Sequence, residues 1–225
     1  TELGYSKAKD LHAFEMDPAA AIPPTSQKMA AHALKKQTVH ERPVSLKNLQ
    51  SELNTIIDIF NDAWSDNWGF TPMTQPEIKY MAKNLRPILD TQLARIIEVD
   101  GEPAGMIVAL PDINHAIQGL SGKLLPFGWL KLLYRLKIKG PTSGRVVLMG
   151  IRKKYQNTRL GGGLAAALVV QLYNIGQKRG YQHVELSWLL EENTAMRKII
   201  ELIGGRHYKT YRIYRKSLKE INGQE

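Results

Sequence analysis

The 225-residue sequence contains no cysteine. Disulfide bonds and thiolate metal sites are therefore excluded, and the composition is compatible with a reducing compartment. Its six histidines are scattered, without an HxH or HExxH spacing, so no metal centre is expected. No apolar run approaches the roughly 18 to 20 residues that a membrane-spanning helix needs, and the first residues lack the apolar core of a signal peptide. These absences predict a cytoplasmic protein without a transmembrane segment.

The formal net charge of the chain is +10. Such a surplus suits a nucleic acid, an anionic membrane or a polyanionic small ligand, and it is also typical of a basic, solvated surface. No groove-reading motif or base-stacking pattern is present, so a nucleic acid is not an expected partner.

From Val39 onward, strand-like and helix-like patterns alternate along the chain. The predicted order is strand, helix, helix, hairpin, strand, turn, helix, strand, helix, strand. The hairpin is indicated by the Asp100-Gly101 turn between two apolar runs. This order predicts an α+β fold, in which a mixed sheet carries helices on both faces.

Two segments do not fit this alternation. The first is residues 1–36, where PAAAIPPTSQKM has the composition of a linker. The stretch GYSKAKDLHAFEM also echoes GGRHYKTYRIYRK near the end of the chain. We therefore predict an N-terminal extension over 1–36 that would hold the last strand of a preceding related domain and a linker. The main domain would span 37–218, with a tail over 219–225.

The second is an insertion over residues 113–143, which carries five basic residues and no acidic one. It contains an amphipathic helical pattern with apolar residues Trp129, Leu132, Leu133 and Leu136. Three interpretations stay open: a lid over the substrate, a helix packed on its own domain with Lys131 and Arg135 in solvent, and a membrane-surface helix. The first two are preferred.

A glycine-rich turn, YQNTRLGGGLAAAL, follows the apolar strand RVVLMGI at 145–151 and leads into a helix. Backbone N–H groups at the start of a helix lack internal acceptors and, together with the helix dipole, form a site for phosphate. Glycines at such a turn let a diphosphate approach the backbone. They can equally serve the close packing of a helix on a sheet, so the glycines alone decide little.

With its flanking strand and helix, this turn resembles the Q/R-x-x-G-x-G/A motif of the GCN5-related N-acetyltransferase superfamily, and the likeness covers 39–218. Four positions keep the spacing of the family: Ile151, Gln156, Gly161 and Leu164. Arg159 stands where the first family glycine would be. A register that begins at Thr158 restores both glycines but loses the leucine spacing. The chain resembles uncharacterised bacterial members with a preceding N-terminal domain.

The resemblance implies a mixed, mostly antiparallel sheet and a donor, acetyl-CoA or another acyl-CoA, whose pyrophosphate binds at the turn; no metal is implied. The positions that would contact coenzyme A are Met149, Gly150, Ile151, Gln156, Asn157, Thr158, Arg159, Leu160, Gly161, Gly162 and Asn193.

The block ELSWLLEENTAMRKIIELIGG resembles the second signature of the family. Asn193 and Gly204 match it, whereas Ile200 stands where many members carry the tyrosine that protonates the departing thiolate. Tyr208 and Tyr211 are the nearest replacements in sequence, and water is an alternative proton source. Both tyrosines would also be unremarkable as strand residues.

The implied reaction is direct acyl transfer to a small-molecule amine, which must first lose a proton to a base. Glu185 and Asp112 are the candidates for this base. The acceptor pocket would be lined by Asp66, Asn67, Trp68, Phe70 and Ser187. The backbone of 149–151 would stabilise the oxyanion if this strand is splayed or bulged.

Two other functions stay open. One is a non-catalytic module that holds an acyl-CoA, an acyl carrier or a lipid head group. The other is an acyltransferase whose donor is an acyl carrier protein, because the acidic surface of such a carrier would suit the charge of +10. The sequence does not predict the oligomeric state.

Overall fold

The computed structural model describes residues 3–85, 89–123 and 125–217, which build a seven-stranded sheet with helices on both faces. The strands are β1 Ser6–Met16, β2 Val39–Pro43, β3 Ala94–Val99, β4 Glu102–Pro111, β5 Ser143–Ile151, β6 His183–Leu190 and β7 Arg206–Arg215. The helices are α1 Pro24–Leu34, α2 Leu49–Trp64, α3 Gln75–Leu85, α4 Ile113–Ile117, α5 Gly128–Tyr134, α6 Arg159–Lys178 and α7 Thr194–Leu202. The predicted tail over 219–225 lies outside the described residues.

The strand order across the sheet is β2-β3-β4-β5-β6-β1-β7. Strands β5 and β6 run parallel, and every other neighbouring pair is antiparallel. The predicted α+β class, with a mixed and mostly antiparallel sheet, is therefore confirmed.

Local sequence signals explain where the elements begin and turn. Asp100 and Gly101 have φ values of 54° and 79°, the left-handed conformation that a tight β3–β4 hairpin requires. At the start of α3, the Thr74 backbone N–H donates to the Glu77 carboxylate at 2.8 Å, as the capping-box spacing predicts. The hairpin and the helix thus begin where turn and cap chemistry place them.

Alternation along the strands gives the sheet two apolar faces. Ile97 and Ile107 lie in the core beneath α1 and α6, whereas Ile96 and Met106 lie in a second core beneath α2 and α3. All four are fully buried. Because both faces are covered, the central strands read as almost continuous apolar runs.

Strand β1 lies inside the sheet, between β6 and β7. It pairs with β6 from Leu11 to Met16 and with β7 along almost its whole length. Helix α1 follows it and packs on α6, where the Gly163 position lets the two helices meet at Ala33. The predicted boundary at residue 36 therefore cuts through one continuous sheet and core. An origin of β1 in a preceding related domain stays a prediction.

The structure of the insertion does not match the interpretation of a helix packed on its own domain. Arg135 was expected in solvent, but its guanidinium donates to the carbonyl oxygens of Ala116 at 2.8 Å and Gln118 at 2.6 Å. Helix α5 buries none of its described side chains, so it is not packed on the domain through an apolar face.

The pairing of β1 with β7 includes a charged cluster that makes stability depend on pH. The Asp10 carboxylate accepts from Arg212 at 2.8 and 2.9 Å and lies 2.9 Å from the Lys7 ammonium. The hydrogen bonds from Arg212, which have the largest effect, and from Lys7 hold the pKa of Asp10 well below its ordinary 3.8.

We predict that Asp10→Asn destabilises the protein at pH 7, because the ionised carboxylate binds both cations better than an amide does. A lowered folded-state pKa gives stability that is complete above the ordinary pKa and is lost as the pH falls below it. Urea unfolding of both proteins at pH 7 and pH 3 should therefore show a difference that narrows in acid. Glu201→Gln, which changes an exposed carboxylate of α7, serves as the control. If the two proteins differed as much in their free energy of unfolding at pH 3 as at pH 7, the stabilising role of the ionised Asp10 carboxylate would be contradicted.

Candidate active site

A cleft opens where β5 and β6 separate. The two strands are paired only over four residue pairs, from Ser143–His183 to Val146–Leu186. Opposite β4, Val147 is an extra residue between two consecutive pairs, which is a β-bulge. Beyond this point the diverging strands enclose a cavity of about 470 Å³, and the first turns of α6 and α7 and the end of α2 complete its wall. The predicted bulged and splayed strand is thus present.

The β5 wall presents backbone donors to this cleft. The Arg152 N–H donates to Ala104 of β4 at 2.8 Å, so alternation along the strand directs the N–H and carbonyl groups of Met149 and Ile151 to the other side. Both of these carbonyls are occupied, by the Trp64 indole N–H at 3.0 Å and the Gln156 amide at 2.8 Å. The N–H groups of Met149 and Ile151 therefore face the cleft as donors.

The glycine turn leads from β5 into α6 at one end of the cleft. Asn157 adopts a left-handed φ of 58°, and Thr158 caps the helix by accepting from the Gly161 N–H at 3.0 Å. Arg159 and Leu160 occupy the first helical turn, where backbone donors have no intrahelical acceptor. No acidic residue lies in that turn, and the Arg159 side chain is exposed. The turn is therefore an electropositive helix start beside the cavity.

Two of the three glycines serve close packing. A Cβ at Gly161 would lie 2.0 Å from the Tyr155 carbonyl oxygen, and one at Gly163 would lie 2.9 Å from the Ala33 Cβ. A Cβ at Gly162 would meet only the end of Met29, at 3.8 Å. The packing explanation thus holds for Gly161 and Gly163, and a role in ligand approach for Gly161 and Gly162 stays a prediction.

The second signature also reaches the cleft. Asn193 lines it and caps α7, because its side-chain oxygen accepts from the Met196 N–H at 3.1 Å. Ile200 lines the same cavity. A hydrocarbon side chain therefore stands where many members of the resembled family carry a tyrosine.

Glu185 is the centre of a polar cluster on the β6 side. It accepts hydrogen bonds from the Ser187 and Tyr208 hydroxyls, and the Arg145 Nε lies 3.4 Å from its carboxylate. Burial raises the pKa of Glu185, but these hydroxyls, Arg145 and Lys209 outweigh it, so the net pKa lies below the usual value. Ser187 lines the cavity, which places the ionised carboxylate one hydrogen bond away from a cavity-lining residue.

The structure does not bring the other predicted catalytic groups to the cleft. Asp112 caps α4, where it accepts from the Asn114 N–H at 3.0 Å, and it borders a separate cavity of about 350 Å³. The Tyr208 hydroxyl donates to Glu185. Partial burial of the phenol and this hydrogen bond raise the pKa of Tyr208. Tyr211 packs edge-on against Trp188, with ring centroids 5.8 Å apart. Neither tyrosine belongs to the residues that line the larger cavity.

The predicted acceptor loop is divided between the cavity and its rim. Asn67 lines the cavity. Asp66 forms an ion pair with Lys153 at 2.6 Å, and the half-exposed Trp68 lies 5.7 Å from the Lys9 ammonium. Phe70 packs on an aromatic ring of α2, with centroids 5.6 Å apart.

Sequence reasoning missed Trp64, Arg145 and Trp188 as site residues. The alternation in β6 predicts Trp188 on the face of Val184 and Leu186, but the β1–β6 register shifts opposite this point and the ring is 54% exposed. It lines the cavity, and the Arg145 guanidinium lies 4.9 Å from its centroid. The one available signal for Trp64 was an indole donor at the end of an amphipathic helix.

Within the described ranges, no group of three histidine or acidic side chains could hold a metal ion. The helices of the same ranges include none long and apolar enough to cross a membrane.

Comparison with solved structures supports the assignment of this architecture. A GCN5-related N-acetyltransferase from Sphaerobacter thermophilus superposes with a TM-score of 0.62 over 96% of this chain and 53% of that protein, at 16% sequence identity. The chain has the GCN5-related N-acetyltransferase fold.

Two curated proteins are similar to this chain in sequence. The bacterial ceramide synthase of Caulobacter vibrioides is 46% identical over 217 residues, which are 96% of this chain and 56% of that protein. Protein YghO of Escherichia coli is 39% identical over 218 residues, 96% of this chain and 55% of that protein. The chain thus spans about half the length of the curated relatives it matches. No protein-family model matches the sequence.

The glycines give a matched pair of substitutions. Gly161→Ala should destabilise the protein by about 1–3 kcal/mol, because the new methyl group would strike a backbone oxygen that cannot move aside. Gly162→Ala should be neutral or stabilising by up to about 1 kcal/mol, since alanine favours a helix. Urea unfolding measures both. Equal stability of the two variants would contradict the packing role of Gly161.

Proposed function

We propose that this chain is an acyl-CoA-dependent N-acyltransferase that transfers an acyl group directly to a primary amine. The observation that carries the proposal is the cleft between β5 and β6, where cleft-facing backbone donors on one strand oppose a hydroxyl–carboxylate pair on the other. A thioester and an amine brought into this cleft would meet a donor for the oxyanion and a path for the proton.

The donor would lie along β5. Its pyrophosphate would bind at the first turn of α6, where unpaired N–H groups, the helix dipole and Arg159 favour an anion. The thioester carbonyl would accept from the N–H of Met149 or Ile151. Because the Trp64 and Gln156 side chains already occupy the neighbouring carbonyls, these donors are held in place before the ligand arrives.

The proton path would run through β6. Ser187 lines the cavity and its hydroxyl donates to Glu185, so Ser187 would accept a proton from the amine while it passes its own to the carboxylate. The neutral amine nitrogen then attacks the carbonyl carbon, and the carbon–sulfur bond breaks as the amide forms. The nitrogen loses its second proton as the amide forms, and with Ile200 in the cleft, water would carry that proton to the departing thiolate.

The acceptor would be a long-chain amino alcohol. This step rests on the name of the relative from Caulobacter vibrioides, since a ceramide is the amide of a fatty acid with such an amine. The walls of the cleft are rich in hydrocarbon, with Leu148, Leu189 and Ile199 among its lining residues, which suits chains rather than a polar amine.

The net charge of +10 favours one second candidate, transfer from an acyl carrier protein instead of coenzyme A.

Calorimetry separates the donors: titrations with acetyl-CoA, a long-chain acyl-CoA and an acylated carrier protein should show the tightest binding for an acyl-CoA. Arg159→Glu should weaken that binding at least about tenfold, because it replaces the exposed cation of the first helical turn by an anion that would repel the diphosphate. Binding to the carrier protein alone would contradict the coenzyme A proposal.

We predict that Glu185→Gln lowers kcat by about 10²–10⁴-fold, because an amide cannot take up the proton that Ser187 passes on. Thiol release with a long-chain amino alcohol measures the rate. Glu15→Gln is the matched control, since Glu15 is the register partner of Glu185 on β1 and binds Arg206 instead.

The pH profile tests the same assignment. The pKa of Glu185 lies below its usual 4.5, so its carboxylate is ionised throughout the range above pH 5. The rate should therefore rise with pH between 6 and 9 only because the amine deprotonates. Firm coenzyme A binding without thiol release from any amine would instead support a binding module.

A further inference from the structure

The insertion carries an exposed apolar surface at its tip. Six side chains form what we call the apolar tip: Leu125, Phe127, Trp129, Leu133, Tyr134 and Ile138. Their exposed fractions are 80%, 71%, 48%, 50%, 53% and 75%. A hydrophobic surface of this kind on a monomer marks an interaction site.

The backbone of the insertion holds this tip outward. In α5, Trp129 and Leu133 lie one turn apart on one side, whereas Leu132 is only partly exposed. Tyr134 ends α5 on a different side, and it and Ile138 in the following turn are also exposed. Arg135 fixes the helix by donating to two carbonyl oxygens at the end of α4. None of the lining residues of the β5–β6 cleft comes from the insertion, so the tip does not act as a lid in this structure.

The charge of the insertion is of one sign. Residues 113–143 hold five lysines and arginines and no acidic residue. The side chains of Lys123, Lys131 and Lys139 are exposed around the apolar tip. An apolar surface on a segment that carries cations and no acidic residue complements an anionic surface that also has an apolar layer beneath its charges.

We propose that the apolar tip docks on the surface of an anionic phospholipid bilayer. Trp129, Tyr134 and Phe127 supply rings of the kind that lie at the boundary between head groups and acyl chains, and the lysines bind the phosphates. The proposal rests on the insertion alone and does not depend on the acyl-transfer reaction. If the acceptor is a long-chain amine, docking would also bring the cleft to the phase in which that amine dissolves.

Vesicle co-sedimentation of the full chain tests the proposal. The protein should bind vesicles that contain 30% phosphatidylglycerol and should bind pure phosphatidylcholine vesicles at least about tenfold less tightly. Rising salt should weaken the binding. The triple variant F127S/W129S/L133S should lose the binding, since it removes exposed apolar area without opening the core. Tyr80→Ser, which changes a residue that is 74% exposed on α3, should bind like the parent protein.

Charge reversals supply a second matched pair. K123E/K131E should lower the partition coefficient at least about tenfold, whereas K36E/K79E, with the same net charge but changes outside the insertion, should lower it much less. Fluorescence quenching by brominated lipids should fall in Trp129→Phe and persist in Trp68→Phe. Acyl transfer to a water-soluble amine should have the same rate in the triple variant, in Tyr80→Ser and in both charge-reversal variants. This measurement separates the docking proposal from the proposed reaction.

Three results would overturn the docking proposal. The first is undiminished vesicle binding by the triple variant, and the second is no binding of the parent protein to anionic vesicles. The third is a dimer that the triple variant dissociates, because a second copy of the chain would then cover the apolar tip.

Discussion

The separation of two parallel strands is the constraint on which the rest of this structure depends. Strands β5 and β6 share four residue pairs and then diverge, which leaves backbone groups of both without a partner strand in the buried middle of a sheet. Unpaired buried backbone groups are costly. The side chains of Trp64 and Gln156 satisfy the carbonyls of β5, so the remaining N–H groups are the part of the strand that is left for a ligand.

Each diverging strand is held by the neighbour on its other side. The second half of β5 pairs with β4 as far as Ile151, and β6 pairs with β1 as far as Leu190. The cleft therefore lies between two well-supported strands, and its walls are rigid elements rather than loops. The first turn of α6, the cap of α7 and the Glu185 cluster are all built on these walls. The glycines also belong to this scaffold, since Gly161 and Gly163 allow α6 to sit close to its surroundings.

The sequence predicts most of the elements because their signals are local. Caps, turn glycines and apolar periodicity indicated the helices and the hairpin, and the strand–turn–helix order indicated the fold. The misplaced features depend on contacts between distant residues. Nothing local shows that β1 lies between β6 and β7, that a register shift turns Trp188 outward, or that Arg135 binds the carbonyls of α4. The Glu185 candidate was indicated by a charged residue in an apolar strand, but its partners Arg145 and Tyr208 come from other strands.

The position of β1 also has a consequence for how the chain reaches this state. Its partners on β7 are about two hundred residues away, as in the contact between Asp10 and Arg212. Contacts of such sequence separation form late and slow the folding rate. During synthesis on a ribosome, the edge of β1 that pairs with β7 would stay unpaired until β7 has emerged. That edge is therefore the place where premature association between nascent chains is most expected.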